Sequence, residues 1–275
     1  MRKEFIMRHF FKIILLFFTI FPLISVYGQN GVIVKEITAY DGPNFEDIIS
    51  TFTQYVKNND SKSIAAMTHF PLNRYYPIPN VKDASDFLQR YPEIFDEVLR
   101  KKITQANIKS DWIPVGVRGL MLQNGVIWLN ADGSKLIAVN YESDAEKNKR
   151  LALISEQKKA VHKSLGDFLN PIGIWQTKNH RIRIDEMAGN DYRYASWKTN
   201  TCQSDKPDMI LKHGTVNYDG SGGNHAYTFK GGGYIYHLDV MLIGLKPSPS
   251  ATLVVLKDGK EVSREEAQPI GFPCR

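Results

Sequence analysis

Four of the seven histidines, both cysteines and two glycine-rich stretches fall after position 175. These are the residue types from which metal, thiol and phosphate chemistry is built. His180, His213, His225 and His237 are the metal candidates, but no two have the spacing of a helical zinc motif. On a strand, Tyr234-Ile-Tyr-His-Leu-Asp239-Val240 places His237 and Asp239 on one face, opposite the tyrosines. That pair reads as solvent-facing, so no metal and no cofactor are expected. Asp219-Gly-Ser-Gly-Gly-Asn224 lacks the Gly-Lys-Ser/Thr close and the following helix of a phosphate loop. It reads as a turn that needs positive φ, as does Lys230-Gly-Gly-Gly233. No Gly-x-Ser-x-Gly elbow and no His-Glu-x-x-His pair is present, so a hydrolase has little support.

The run Tyr192-Arg193-Tyr194-Ala195-Ser196-Trp197 is the most suggestive for binding. A strand puts Tyr192, Tyr194 and Ser196 on one face and Arg193, Ala195 and Trp197 on the other. One face must be core. An exposed opposite face would set aromatics beside polar groups, which suits a glycan, a small ligand or a protein partner. Tyr192, Arg193, Tyr194 and Trp197 are therefore the candidate ligand-binding residues.

Stepping outward, residues 171–275 read as a small all-β barrel or sandwich. Arg181-Ile-Arg-Ile-Asp185 alternates polar with apolar, and short β-prone runs recur between glycine turns, with Asp258-Gly259 a hairpin signal. Residues 32–170 read as α+β. Asn44 opens a helix with Phe45, Ile48, Ile49, Phe52 and Tyr55 at helical spacing. A second short helix follows Asp60, and Pro77 and Pro79 keep 72–79 extended. Asp83 or Ser85 starts another helix, which bends or restarts at Pro92. Strands are predicted at Trp112–Leu122, Val126–Asn130 and Lys135–Tyr141, the first two joined by the Asn124-Gly125 turn. Ser143-Asp-Ala-Glu146 matches a capping box that opens a connecting helix over 144–169. Trp112 and Trp128 read as core.

Helices followed by an antiparallel meander, with Phe70-Pro71-Leu72, Phe87-Leu88, Trp112, Gly116, Gly119, Gly125 and Trp128 in this order, resembles the nuclear-transport-factor-2-like (cystatin-like, SnoaL-like) family among exported bacterial proteins. The resemblance covers about half of the chain that follows the leader. It implies helices on a curved antiparallel sheet, with a cone whose mouth holds a small ligand. Some members are isomerases or dehydratases that use a pocket Asp, His or Tyr. Here the matching candidates are His69, Tyr75, Asp86 and Arg118. Binding-only members are equally compatible.

The first 28 residues read as a cleavable secretory signal. Arg2, Lys3, Arg8 and Lys12 precede an apolar run from Ile13 to Phe21, and Val26 and Gly28 suit the cut before Gln29. The competing reading is an anchor, but the run is short for a span and Pro22 interrupts it. Removing it takes four bases and one acid from 35 Lys+Arg and 29 Asp+Glu, so the net charge falls from +6 to +3. With no dense basic run elsewhere, a nucleic-acid partner is not expected. In an oxidising compartment Cys202 and Cys274 form a disulfide, which stabilises by about 3–5 kcal/mol through loop closure. The alternatives are two free thiols or a reactive Cys202, but Thr201-Cys202-Gln203-Ser204 shows no activating base or helix start. The sequence thus points to an exported cell-envelope protein, periplasmic or secreted, with no stable membrane span. It acts as a binding module for an envelope protein, glycan or small ligand; the alternative is a small-molecule isomerase- or dehydratase-like enzyme.

Overall fold

The computed structural model describes residues 44–219, 223–242 and 248–272. The predicted signal and Cys274 lie outside these residues. Among the described residues, no helix is long and apolar enough to cross a membrane.

The described residues open with four helices, three of them begun by a side chain that meets a free N–H group of the first turn. Helix α1 is Phe45–Lys57, with Glu46 and Asp47 in its first turn and Ile49, Phe52 and Val56 buried. Asn44 is at its N-cap position, but the side chain donates to Asp47 Oδ2 (2.7 Å) instead of capping. Asp60 caps α2 (Ser61–Met67) by accepting from the Ser63 N–H at 3.0 Å. Asp83 caps α3 (Ala84–Ile94) through the Asp86 N–H at 3.0 Å. Pro92 lies in the last turn of α3, and the chain restarts as α4 (Glu97–Thr104), capped by Asp96.

A four-stranded antiparallel sheet follows, in the order β1 (Trp112–Pro114), β2 (Leu120–Leu122), β3 (Ile127–Leu129) and β4 (Leu136–Val139). The strand predicted over Trp112–Leu122 is in fact two. Gly116 takes φ +56°, a tight 3-10 turn runs over Gly116–Arg118, and β1 pairs back on β2. Gly119 has φ +105°, and a Cβ there would stand 1.9 Å from the Leu129 carbonyl oxygen. Gly119→Ala should therefore destabilise the protein by roughly 2–4 kcal/mol in a urea melt, since both the backbone and its neighbour must shift. Helices and sheet enclose one core that includes Phe52, Phe87, Phe95, Leu99, Trp112 and Leu120. Trp128, expected in this core, is half-exposed beneath the Arg118 guanidinium, 6.0 Å from its ring centre.

Helix α5 (Asp144–Ala160) is shorter than the predicted 144–169. It stops at β-branched Val161, and a single 3-10 turn over Lys163–Leu165 replaces its continuation. The capping box is half formed. Ser143 accepts from the Glu146 N–H (3.1 Å), while the Glu146 carboxylate turns inward to Arg74.

The remainder is a barrel, which decides between the two β architectures expected. Eight antiparallel strands run next-neighbour: β5 (Asn170–Gln176), β6 (His180–Met187), β7 (Asp191–Lys198), β8 (Met209–Asp219), β9 (Asn224–Gly231), β10 (Tyr234–Val240), β11 (Ala251–Lys257) and β12 (Lys260–Pro269). β12 returns to β5 and closes it. Two hairpins have positive φ at both central residues, Gly232-Gly233 and Asp258-Gly259, which is the turn that matches strand twist. Trp175, Ile182, Ile184, Tyr194, Tyr227, Phe229 and Leu238 form the barrel's core.

Candidate functional site

The four N-terminal candidates are not brought together. His69 is exposed after α2, its N–H bound to the Leu136 carbonyl. Tyr75 is exposed in the loop leading to α3, and Asp86 accepts from the Lys82 N–H at 3.0 Å. Arg118, expected in a strand, lies in the 3-10 turn over Trp128. The cavity found in this half, about 320 Å³, is an open hollow beside α1 lined by Asp47, Ile48, Thr51, Tyr55, Met67 and Gly133 among others. None of the four lines it, and Phe87 and Trp112 fill the interior where a cone would open.

Of the surface expected on β7, only Tyr192 stays partly exposed; Arg193, Tyr194 and Trp197 are buried. Tyr194 (2% exposed) points into the barrel with Tyr192, as the alternation requires. Arg193 (3%) and Trp197 (0%) point outward but are covered by α5 and the segment 161–169. Trp197 donates its indole N–H to the Asp205 carbonyl at 3.0 Å. The physical reason is a second layer. Ile154, Val161, Leu165 and Phe168 pack onto the outer face of β7, with Ala195 and Trp197. An open patch at Arg193 and Trp197 is thereby excluded, and these two residues are structural.

That layer covers a charged network on the same outer face. Arg183, Asp185 and Arg193 are all buried. Arg183 Nε donates to Asp185 Oδ1 at 2.8 Å, and Arg193 donates to Oδ2 at 2.6 Å. Arg183 also donates to the side-chain oxygens of Gln157 (3.1 Å) and Gln203 (3.0 Å) and lies over the Phe168 ring at 4.8 Å. Arg193 reaches the carbonyls of Asp167 and Leu165. Through Gln157, Leu165 and Asp167 these bonds tie α5 and the segment after it to the barrel.

Chemistry that faces outward gathers at one end of the barrel, where β6 turns into β7 and β8 approaches β9. Tyr192 and Tyr227 meet edge to face, 5.2 Å between ring centres. Tyr227 meets His225 at 5.1 Å, and His225 meets Tyr218 at 5.5 Å. Tyr218 is 68% exposed, while Tyr227 is only 4% exposed. Glu186 is the cross-strand neighbour of Tyr192. His225 Nδ1 lies 2.7 Å from the Gly223 carbonyl, which requires Nδ1 to carry the proton and leaves Nε2 as an acceptor in the neutral ring. Of this group, the sequence singled out Tyr192 as a contact and His225 only as a metal candidate. Alternation on β9 was the available signal, since His225 and Tyr227 share a face. Among the described residues, no group of three His, Cys, Asp or Glu could hold a metal ion. His237 and Asp239 do lie opposite the inward tyrosines, with His237 Nδ1 2.8 Å from Thr228 Oγ1.

Burial raises the phenols of Tyr192, Tyr194, Tyr227 and Tyr236 in the barrel, and of Tyr76 and Tyr91 outside it. Burial, together with donation to Asp96 (2.8 Å), pushes Tyr141 up to about 12. In each case the fold favours the protonated phenol. The stability they confer is therefore complete below the ordinary value near 10 and is lost as pH rises through the folded values. Titration followed at 295 nm should show these seven ionising late and together with loss of the near-ultraviolet dichroism. Ionisation of every tyrosine near pH 10 in folded protein would contradict this. No protein family, curated protein or solved structure matches the chain, so the likeness to nuclear-transport-factor-2-like proteins rests on element order alone.

Proposed function

We propose that the chain is an exported cell-envelope binding protein, periplasmic or secreted, that takes a small ligand or glycan fragment at the Tyr192–Tyr227 end of its barrel. The observation that carries this reading is the aromatic group running from buried Tyr227 through His225 to exposed Tyr218. Eight-stranded closed barrels have interiors just wide enough to be filled by side chains or to seat one small molecule at the mouth. Rings packed edge to face, with one hydroxylated edge in water, favour amphipathic ligands. The enzyme reading is not favoured, because its four candidates stand apart on separate elements and none lines the hollow beside α1.

The test is a ligand screen by thermal shift on residues 29–275 made in an oxidising host. Tyr218→Ala serves as the probe because that side chain is exposed enough to remove without unfolding the barrel. The expected result is at least one ligand whose affinity falls about tenfold or more in the variant. Hits that are all indifferent to Tyr218→Ala would sink the reading. Export also predicts a Cys202–Cys274 disulfide. Cys202 lies in a turn, its N–H donated to Asp205 Oδ2 at 3.1 Å. The secreted chain should take up no alkylating reagent unless first reduced; one modified thiol per cysteine without reduction would exclude the bridge.

A further inference from the structure

Among the described residues, the two ends of the barrel differ in charge. At the end holding Tyr192 and Tyr218, the described residues flanking the β6–β7 and β8–β9 turns include Glu186, Asp191 and Asp219 and no Lys or Arg. The opposite end carries Lys178, Lys198, Lys206, Lys230, Lys257 and Lys260 against Asp205, Asp208, Asp258 and Glu261. Of the three acids, Asp191 has a partner, His213 at 3.1 Å. Glu186 is different. It is half-buried, its Oε2 accepts from Asn170 Nδ2 at 2.8 Å, and it has no cationic partner among the described residues. The nearest base through this chain, Arg150, donates to Asn170 Oδ1 (3.2 Å) and is already paired with Glu142 at 2.5 Å.

A half-buried carboxylate without a counter-charge is costly to hold. Here it stands directly across the strand pair from Tyr192, at the edge of the ring group formed by Tyr192, Tyr227 and His225. After burial, the Glu186 charge is the next cause that holds the Tyr192 phenol above its ordinary range, in keeping with its place across the strand pair from Tyr192. Aromatic faces attract cations, and the attraction is strongest where water is excluded. His225, its Nδ1 turned to the Gly223 carbonyl, adds a further ring to the group.

Building on the binding reading above, we propose that this end of the barrel takes an organic cation, a quaternary ammonium or a protonated amine, with its charge against Glu186 and its apolar groups on Tyr192, Tyr218 and His225. A neutral sugar would use the rings and leave the carboxylate uncompensated.

The probes are choline and its neutral isostere 3,3-dimethyl-1-butanol, titrated calorimetrically into residues 29–275. Choline is expected to bind at least about tenfold tighter than the isostere. Glu186→Gln should weaken choline by about tenfold, leave the isostere unchanged and leave the melting temperature unchanged. Tyr218→Ala should weaken both. Equal affinity for the two probes, or choline binding indifferent to Glu186→Gln, would overturn the cation assignment while leaving an aromatic site intact. No binding of choline to the wild-type protein would overturn it as well. The wider reading would fall separately, through the indifference of every screened ligand to Tyr218→Ala.

Discussion

Asp185→Asn is expected to destabilise the protein by about 3–5 kcal/mol, the usual cost of removing one partner from a buried ion pair. Asp185 is the single anion between two buried guanidiniums, 2.8 Å from Arg183 and 2.6 Å from Arg193. Asparagine keeps the shape and one acceptor oxygen but removes the charge. Arg183 and Arg193 then face each other in a site closed by Phe168, Leu165 and Trp197. The amide oxygens of Gln157 and Gln203 and two backbone carbonyls remain as acceptors, so unfolding need not be complete. Chemical denaturation of the variant measures the loss directly. The informative partner is the triple change Arg183→Met, Asp185→Leu, Arg193→Leu, which removes both signs of charge together. Replacing all members of such a cluster is commonly neutral or stabilising. If the single and triple variants were equally unstable, shape and packing would be at fault and the electrostatic account would fail.

Glu146→Gln should cost a similar amount, about 3–5 kcal/mol, and should act on the other half of the chain. The Glu146 carboxylate is fully buried and takes a two-pronged bond from Arg74, with Nε 2.8 Å from Oε1 and the second nitrogen on Oε2. The same guanidinium donates to the carbonyls of Val139 (2.7 Å) and Tyr141 (2.6 Å). It thereby ties the loop before α3 to the last strand of the sheet and the first turn of α5. Arg90 stands 4.0 Å from Oε1 and adds a second cation. Glutamine would leave both guanidiniums without a nearby buried anion. It would also remove a negative charge from a helix N-terminus, a smaller loss of about 0.3–1 kcal/mol. Glu142→Gln is the control, since about a fifth of each side chain in its pair with Arg150 stays exposed and a smaller loss of about 1–2 kcal/mol is expected there. Equal losses for Glu142→Gln and Glu146→Gln in urea titrations would show that burial does not set the scale.

What could be read from the sequence follows the range of the interaction that encodes it. Asp60, Asp83 and Asp96 act within three residues of themselves, and each begins a helix in the structure. Asp258-Gly259 fixes its own hairpin through two backbone angles. The alternation in Arg181-Ile-Arg-Ile-Asp185 correctly separates an apolar face from a polar one. It carries no information about what covers the polar face, because that cover comes from α5 and the segment 161–169. Arg193 and Trp197 lie under the same cover, which no pattern within β7 encodes. Glu146 satisfies a local pattern, but Arg74, 72 positions away, claims its carboxylate. The aromatic end was hidden because Tyr192, Tyr218, His225 and Tyr227 lie on three strands whose registers are tertiary facts. His69, Tyr75, Asp86 and Arg118 were chosen for a cone interior, which Phe87 and Trp112 occupy instead.

The closure of the barrel has a consequence for how the molecule is made. β5 and β12 are the first and last strands of the meander, and among the described residues they meet through two register pairs, Gln268 with Gln176 and Pro269 with Trp175, extended by the Ile270 N–H on the Ile174 carbonyl. Proline has no N–H to give, so one position of this seam is bonded from one side only. β5 can pair with β6 at once, but its other neighbour, β12, is the last strand of the barrel to be synthesised. During that interval β5 offers an unpaired edge, open to the matching β12 of another copy as readily as to its own. The slowest-forming contact is thus also the thinnest, and amide exchange in the native protein should begin at Trp175 and Gln176 and spread around the barrel from there.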